Sequence, residues 1–301
     1  MALQPATENR QPAAPLIIAH RGASGLAPEN TMAAFRLAIG LGADGFELDV
    51  QLSADGQPVV IHDARLNRTT DHMGAVAALT AAELAASDAG SWFARRLARR
   101  PRTRAMAQSV AKLTKDDGLS FAGESVPGLG GVLAMAAAAN VKRVYIELKG
   151  NRRQDKQSLL DAVLTLVRQH KMERAVTLLS FDHEIVRRAK AQARRLRTAA
   201  TFAIPGRGEM TARTIINAVK RAGADEAALH YGLATRRMVA ALHAEGIGVA
   251  VWTVNSKLLM RRMLAVGVDA IMTNYPNRLA DVLAAQAGRR KDERVKWPSK
   301  R

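Results

Sequence analysis

Four stretches of the sequence put ionisable side chains at the ends of apolar runs: His20 and Arg21 after LIIA, Glu47 and Asp49 in GFELDVQLS, His62 and Asp63 after QPVVI, and Glu147 with Lys149 in VYIELK. Glu47 and Asp49 are two positions apart, so on a strand both point to one face, away from Phe46, Leu48 and Val50. Two inward carboxylates repel and lose solvation unless a cation joins them. With Glu147, in a run of the same character, they make an oxygen-rich set suited to Mg²⁺ or Ca²⁺. His20 and His62 can transfer protons, and Arg21 with Lys149 can hold an oxyanion. Charge neutralisation at phosphorus, a base and an acid are the parts needed to cleave a phosphodiester. Each feature alone has a plainer reading, a hydrogen-bonded structural histidine or an exposed polar face; the combination is what argues for chemistry.

Such a site needs a scaffold that gathers strand ends. LIIAH (16–20) has strand character, and PENTMAAFRLAIGLG (28–42) has Met32, Phe35 and Ile39 at helical spacing, with Pro28 and Glu29 placed in its first turn. GFELDVQLS (45–53) alternates apolar and polar residues, and an ADG turn leads into QPVVIHD (57–63). From VYIEL (144–148) to DAIMT (269–273), short apolar runs alternate with amphipathic helical segments. That order predicts a parallel sheet covered by helices, and about eight such units predict a closed TIM-type (β/α)₈ barrel of the α/β class. In such a barrel, chemistry belongs at the C-terminal ends of the strands, where Ser180, Trp252 and Asn255 also fall.

The chain has 301 residues, 48% of them hydrophobic, enough for one large core. It has no cysteine, which excludes disulfides and thiolate metal sites and leaves His and carboxylates for any metal chemistry. The opening MALQPATENRQPAAP has no basic segment followed by an apolar core, and no later stretch has the length and apolarity of a membrane span, so the expected location is cytoplasmic. A net charge of +18 favours anionic partners. Much of it lies in two runs, ARRLARRPRTR from Ala94 to Arg104 and RRKDERVKWPSKR from Arg289. These read as solvated segments able to touch an anionic membrane surface. The expected organisation is a flexible N-terminal segment (1–15), one barrel domain (16–286) and a basic C-terminal tail (287–301).

The stretch HRGASGLAPENTMAAFRLAIGLGADGFELDVQLSADGQPVVIHDARLNRTTDHMG closely resembles the start of the glycerophosphodiester phosphodiesterases, through His-Arg-Gly, Pro-Glu-Asn-Thr, Glu-x-Asp-Val, an Asp-Gly turn and His-Asp. The likeness continues through GSWF (90–93), VYIELK (144–149), LLSFD (178–182) and GVAVWTVN (248–255) to GVDAIMTNYPNRL (267–279). It implies that His20 and His62 are the general acid–base pair, that Glu47, Asp49 and Glu147 bind the divalent metal, and that Arg21 and Lys149 contact the phosphate. It also implies a small insertion after the third strand, about residues 65–125, and a glycerol pocket lined by Trp252; Glu29 and Asn30 read mainly as organisers of the loop and helix start. The implied substrate is a small glycerophosphodiester, split into glycerol 3-phosphate and an alcohol. Two departures stand out: VPGLGGVL (126–133) where relatives commonly read Ile-Pro-Thr-Leu-Glu-Glu-Val-Leu, and an Arg-rich segment in 94–123 that is longer and more basic than expected.

Rival readings use the same residues or the same charge. A lysophospholipase D or sphingomyelinase D type enzyme would act on a lipid and show an exposed apolar entrance. A phosphatidylinositol-type phospholipase C also pairs histidines on a barrel, but its remaining pattern is absent. A non-catalytic nucleic-acid-binding protein would explain the charge, yet aromatic residues are only 4% and do not interleave the basic runs, so stacking on bases has little support.

Overall fold

The structure is a computed structural model that describes residues 14–98, 121–149, 156–206 and 210–295. Most of the Arg-rich segment, the first thirteen residues and the end of the basic tail lie outside the described residues.

The chain begins with β1 (Leu16–His20), α1 (Met32–Gly40), β2 (Gly45–Leu52) and β3 (Pro58–Val60). An excursion through α2 (Ala81–Ala85) and α3 (Ser91–Ala98) leads to α4 (Leu129–Ala138). Strands and helices then alternate: β4 (Arg143–Leu148), α5 (Lys156–Gln169), β5 (Val176–Ser180), α6 (His183–Gln192), β6 (Arg197–Phe202) and α7 (Ala212–Ala222). They continue as β7 (Glu226–His230), α8 (Arg236–Ala244), β8 (Gly248–Trp252), α9 (Lys257–Val266), β9 (Ala270–Thr273) and α10 (Pro276–Val295). The parallel strands run in the order β1-β9-β8-β7-β6-β5-β4-β2, and β2 pairs with β1 again, closing the eight-stranded barrel expected from the sequence. Among the described residues no helix is long and apolar enough to cross a membrane.

β3 is not a barrel stave. It runs antiparallel to β2, pairing Val50 with Val60 and Leu52 with Pro58, on the edge that β1 leaves after Glu47. All eight residues of β2 are therefore buried, and one strand joins the barrel to the excursion after β3. That excursion has its own small core of Val59, Ile61, Leu66, Val76, Leu84, Ala89 and Val126.

Side-chain alternation sorts the main core into two layers. Phe46, Leu48 and Val50 face outward against Phe35, Leu133 and Leu160 of the helices. Inside the barrel, Ile18, Tyr145, Leu179 and Met272 pack among Ala199, Ala228, Ala250 and Ala270. Such packing fills the middle of the barrel and leaves polar residues to the strand ends.

One detail corrects the sequence reading of α1. Pro28 and Glu29 precede the helix instead of opening it: Asn30 has φ +58°, and Thr31 caps the helix by accepting from the backbone N–H of Ala34. A left-handed residue cannot lie within a right-handed turn, so the helix starts only at Met32. At the first departure noted above, VPGLGGVL, α4 begins after Gly128 with no side-chain cap and keeps Leu129, Val132, Leu133 and Ala136 buried.

Candidate active site

The carboxylate set comes from adjacent staves. β2 and β4 pair in register, Glu47 opposite Tyr145 and Asp49 opposite Glu147, so three inward carboxylates converge. Each can offer an oxygen such that all three lie within 4.8 Å of one another. Glu47 and Asp49 are buried, and burial together with the charge of Asp49 pushes the Glu47 carboxyl well above the usual range. Glu147 is raised for the same reasons. Burial works against Asp49 as well, but Arg21 and Lys149 beside it hold its carboxyl below the usual range.

Those two cations are committed to acids. Lys149 Nζ lies 2.6 Å from Glu147 Oε1 and 3.1 Å from Asp49 Oδ1, and Arg21 Nε lies 3.1 Å from Asp49 Oδ2. The Arg21 backbone is left-handed, φ +55°, which a side-chain-bearing residue adopts only at a cost. That turn aims its N–H at Glu47 Oε2, 3.0 Å away. Gly22 follows at φ +76°, and a Cβ there would sit 2.7 Å from Ala34, so only glycine lets this loop lie on α1. Asn30, in its own left-handed turn, donates to Asp49 Oδ2 at 2.8 Å.

The acids fit a divalent cation. Asp49 Oδ1 is buried without a hydrogen-bond partner, and the ammonium of Lys149 near it is out of bonding geometry. An ionised buried oxygen in that state has electron density to spare for a metal, and oxygen donors of this kind suit hard cations. With all three carboxylates ionised, their charge would exceed that of Arg21 and Lys149 by one, an excess that a divalent ion would reverse.

The histidines flank this cluster with their Nδ1 atoms engaged. His20 Nδ1 is 2.8 Å from Asn274 Oδ1, an amide oxygen that can only accept, so Nδ1 carries the proton and Nε2 turns toward Glu47, 3.9 Å away. Burial, aided by Arg21, lowers the His20 pKa to about 4. His62 Nδ1 lies 2.6 Å from Asp63 Oδ1, and burial lowers its pKa as well. Both imidazoles therefore present Nε2 for chemistry.

A cavity of about 180 Å³ opens here, lined by His20, Arg21, Glu47, His62, Glu147, Lys149 and Trp252, with Asp49 beneath Arg21 and Lys149. Every site residue named from the sequence is thus at one place, where strands end. The opposite wall is apolar: the Phe181 ring stands edge-on to Trp252 with centroids 5.5 Å apart, and Leu179 and Met272 lie behind. The Trp252 indole N–H donates to the Ala228 carbonyl at 3.1 Å, which fixes its ring.

Sequence reasoning missed three contributors: Asp63 as the partner of His62, Arg68, and Asn274 as the partner of His20. The adjacent His62-Asp63 pair was a readable signal for the first. Arg68 contacts Glu29 from 39 positions away and Asn274 contacts His20 from 254, distances that no local pattern links.

Comparison with known proteins decides the family. The profile of the glycerophosphoryl diester phosphodiesterase family matches residues 20–278. The chain belongs to that family. YhdW of Bacillus subtilis is 35% identical over 272 residues, covering 87% of this chain and 95% of that protein. The glycerophosphodiester phosphodiesterase of Caldanaerobacter subterraneus is 32% identical over 271 residues, covering 89% and 97%. Among solved structures, an Oleispira antarctica phosphodiesterase in complex with the product sn-glycerol-3-phosphate superposes with a TM-score of 0.75 at 26% identity, covering 90% of this chain and 97% of that one. The family's matched region begins at His20 and so takes in the whole constellation described above.

Proposed function

We propose that this member of the family hydrolyses glycerophosphodiesters to glycerol 3-phosphate and an alcohol, with a divalent metal ion and a histidine pair. The observation that carries the reading is the meeting of Glu47, Asp49 and Glu147, oxygens within 4.8 Å, with the Nε2 sides of His20 and His62 around one cavity. Glu47, Asp49 and Glu147 would hold the ion, which when bound supplies charge neutralisation at the phosphoryl group. Either Mg²⁺ or Ca²⁺ suits these ligands.

The chain's own residues do the rest. Arg21 and Lys149 face the cavity from beside Asp49 and attract the non-bridging phosphoryl oxygens. One imidazole Nε2 takes the proton of the attacking hydroxyl, either that of water or that on the neighbouring glycerol carbon; the second route forms a cyclic phosphate, which water then opens to glycerol 3-phosphate. The other, entering this step as the imidazolium, donates its Nε2 proton to the leaving alcohol oxygen as the bond to phosphorus breaks. With Nδ1 of each ring engaged, neither histidine needs to reorient to do so. Trp252 and Phe181 offer the carbon skeleton of the glycerol an apolar surface.

A lipid-borne diester such as a lysophospholipid is the second reading. It is favoured by two exposed apolar side chains on loops at this end of the barrel, Phe181 at 47% and Ile204 at 55% exposure. The basic runs from Arg95 to Arg104 and from Arg289 would assist by peripheral contact with an anionic membrane surface. One assay separates the readings: release of the head-group alcohol from glycerophosphocholine, glycerophosphoethanolamine, glycerophosphoglycerol and a lysophospholipid, each with Mg²⁺, Ca²⁺ or chelator. Turnover of the soluble diesters supports the main reading, lysophospholipid alone supports the second, and release from none overturns both.

A further inference from the structure

The mechanism above leaves one connected set of charged side chains unused. Asp63, whose Oδ1 accepts from His62, also accepts from Arg68: Nε reaches Oδ2 at 2.6 Å and Nη2 reaches Oδ1 at 3.2 Å. The same guanidinium donates through Nη1 and Nη2 to the two oxygens of Glu29, at 2.8 and 2.7 Å. Glu29 Oε1 accepts in turn from Arg21 Nη1 at 2.7 Å, and Arg21 leads to Asp49. A single arginine therefore grips two carboxylates in a double fork, one tied to His62 and one tied to the cation beside the carboxylate set.

Arg68 does not belong to the barrel. It ends the one-turn helix Leu66–Arg68 in the excursion after β3, and Leu66 anchors that turn by full burial in the excursion's own core. An ordinary exposed ion pair contributes little, because solvent screens it and two long side chains lose freedom. This one differs in geometry: Arg68, itself 41% exposed, donates four times to two carboxylates, and the Glu29 side chain it holds is only 9% exposed. A lysine cannot reproduce such a fork.

We propose that Arg68 is a positioning residue for the hydrolytic reaction. It holds Asp63 so that His62 keeps its proton on Nδ1 and its Nε2 toward the cavity, and it holds Glu29 so that Arg21 stays beside Asp49. The excursion thereby completes the site instead of only bordering it. This rests on the reading that His62 transfers a proton.

The test compares Arg68→Ala, Arg68→Lys and His62→Ala in the full-length, metal-supplied protein, recording kcat, KM and the pH dependence of kcat/KM on a soluble glycerophosphodiester, with thermal melts alongside. Arg68→Ala should lower kcat by about 10- to 100-fold with little change in KM. The limb of the pH profile that belongs to His62 should move to higher pH, because Asp63 relieved of its counter-cation favours the imidazolium more. Arg68→Lys should recover the melting temperature but less than a tenth of the lost turnover, and added guanidinium ion should raise the activity of Arg68→Ala but not that of His62→Ala. If Arg68→Ala does not fold, Arg68→Lys decides: wild-type kcat and pH profile in that variant overturn the proposal. Wild-type kinetics in Arg68→Ala beside a large loss in His62→Ala also overturn it, and leave the acid–base reading standing. Wild-type turnover in His62→Ala overturns the acid–base reading itself, and this proposal with it.

Discussion

Asn274, one residue past the last barrel strand, holds the histidine that ends the first: its Oδ1 lies 2.8 Å from His20 Nδ1. Asn274 is itself held by Asn255 after β8, whose Oδ1 accepts from the Asn274 backbone N–H at 2.9 Å and from Thr273 Oγ1 at 3.3 Å. Closure of the barrel thus builds the His20 site, since the strand ends it joins are the first and last in sequence. Asn274→Leu should leave the His20 ring without its acceptor and lower kcat by about 10- to 100-fold. Asn274→Asp should retain more activity and move the pH limb that belongs to His20 upward, because a carboxylate favours the imidazolium. Steady-state kinetics from pH 5 to 9 on both variants check this; equal behaviour of the two would remove the tautomer argument.

The carboxylates predict the metal's pH dependence. Burial and Asp49 raise the Glu47 carboxyl well above the usual range, so an ion entering the site must displace a proton from it. Metal affinity should therefore fall as pH drops below that raised value, by about tenfold per pH unit for one released proton. Chelator should abolish turnover, and Asp49→Asn should weaken metal binding strongly by removing the charge that Arg21 and Lys149 now balance. Calorimetric titration of Mg²⁺ and Ca²⁺ into stripped protein at several pH values measures the slope; full activity in chelator would refute the metal reading.

For the histidines themselves, His20→Ala and His62→Ala should each lose about 10²- to 10⁴-fold in kcat while the fold and metal binding survive. The losses should not multiply, because the two rings act in one proton-transfer sequence. A diester with a very acidic leaving group, such as a nitrophenol, should recover much of the loss in whichever variant lacks the acid. Near-normal turnover of a natural diester in both single variants would return these residues to structural roles.

Stability should carry the mark of His20 in metal-free protein. Its pKa falls from 6.5 when the chain is unfolded to about 4 when folded, so between those values the unfolded chain binds a proton that the native state does not. The native state is then favoured most above pH 6.5 and loses stability as pH falls toward 4. Urea unfolding midpoints across that window should decline with acid, and His20→Gln should flatten this part of the curve. An unchanged slope in the variant would mean that other groups carry the effect.

Much of this molecule is legible in one dimension because its physics is local. The period-2 alternation of GFELDVQLS determined that Glu47 and Asp49 share a face, and the register of β2 with β4 kept that relation intact. Alternation of apolar runs with amphipathic segments was enough for the closed barrel, since parallel staves joined by helices bury both faces in few other ways. Strand ends in turn announced His20, His62 and Glu147, because an ionisable residue closing an apolar run has to find a polar partner where the strand ends. What only the tertiary structure decided are the partners. Asn274 meets His20 because β9 closes on β1, and Arg68 meets Asp63 and Glu29 because an excursion with its own core folds back onto the segments that follow β3 and β1. The helix start failed for a related reason: Pro28 and Glu29 have the residue types of a first turn, but Asn30 is held left-handed where its side chain bonds Asp49, a constraint set 19 residues away. Side-chain type and spacing encode what a residue can do; which residue it does it with depends on chain closure, and closure is a property of the whole fold.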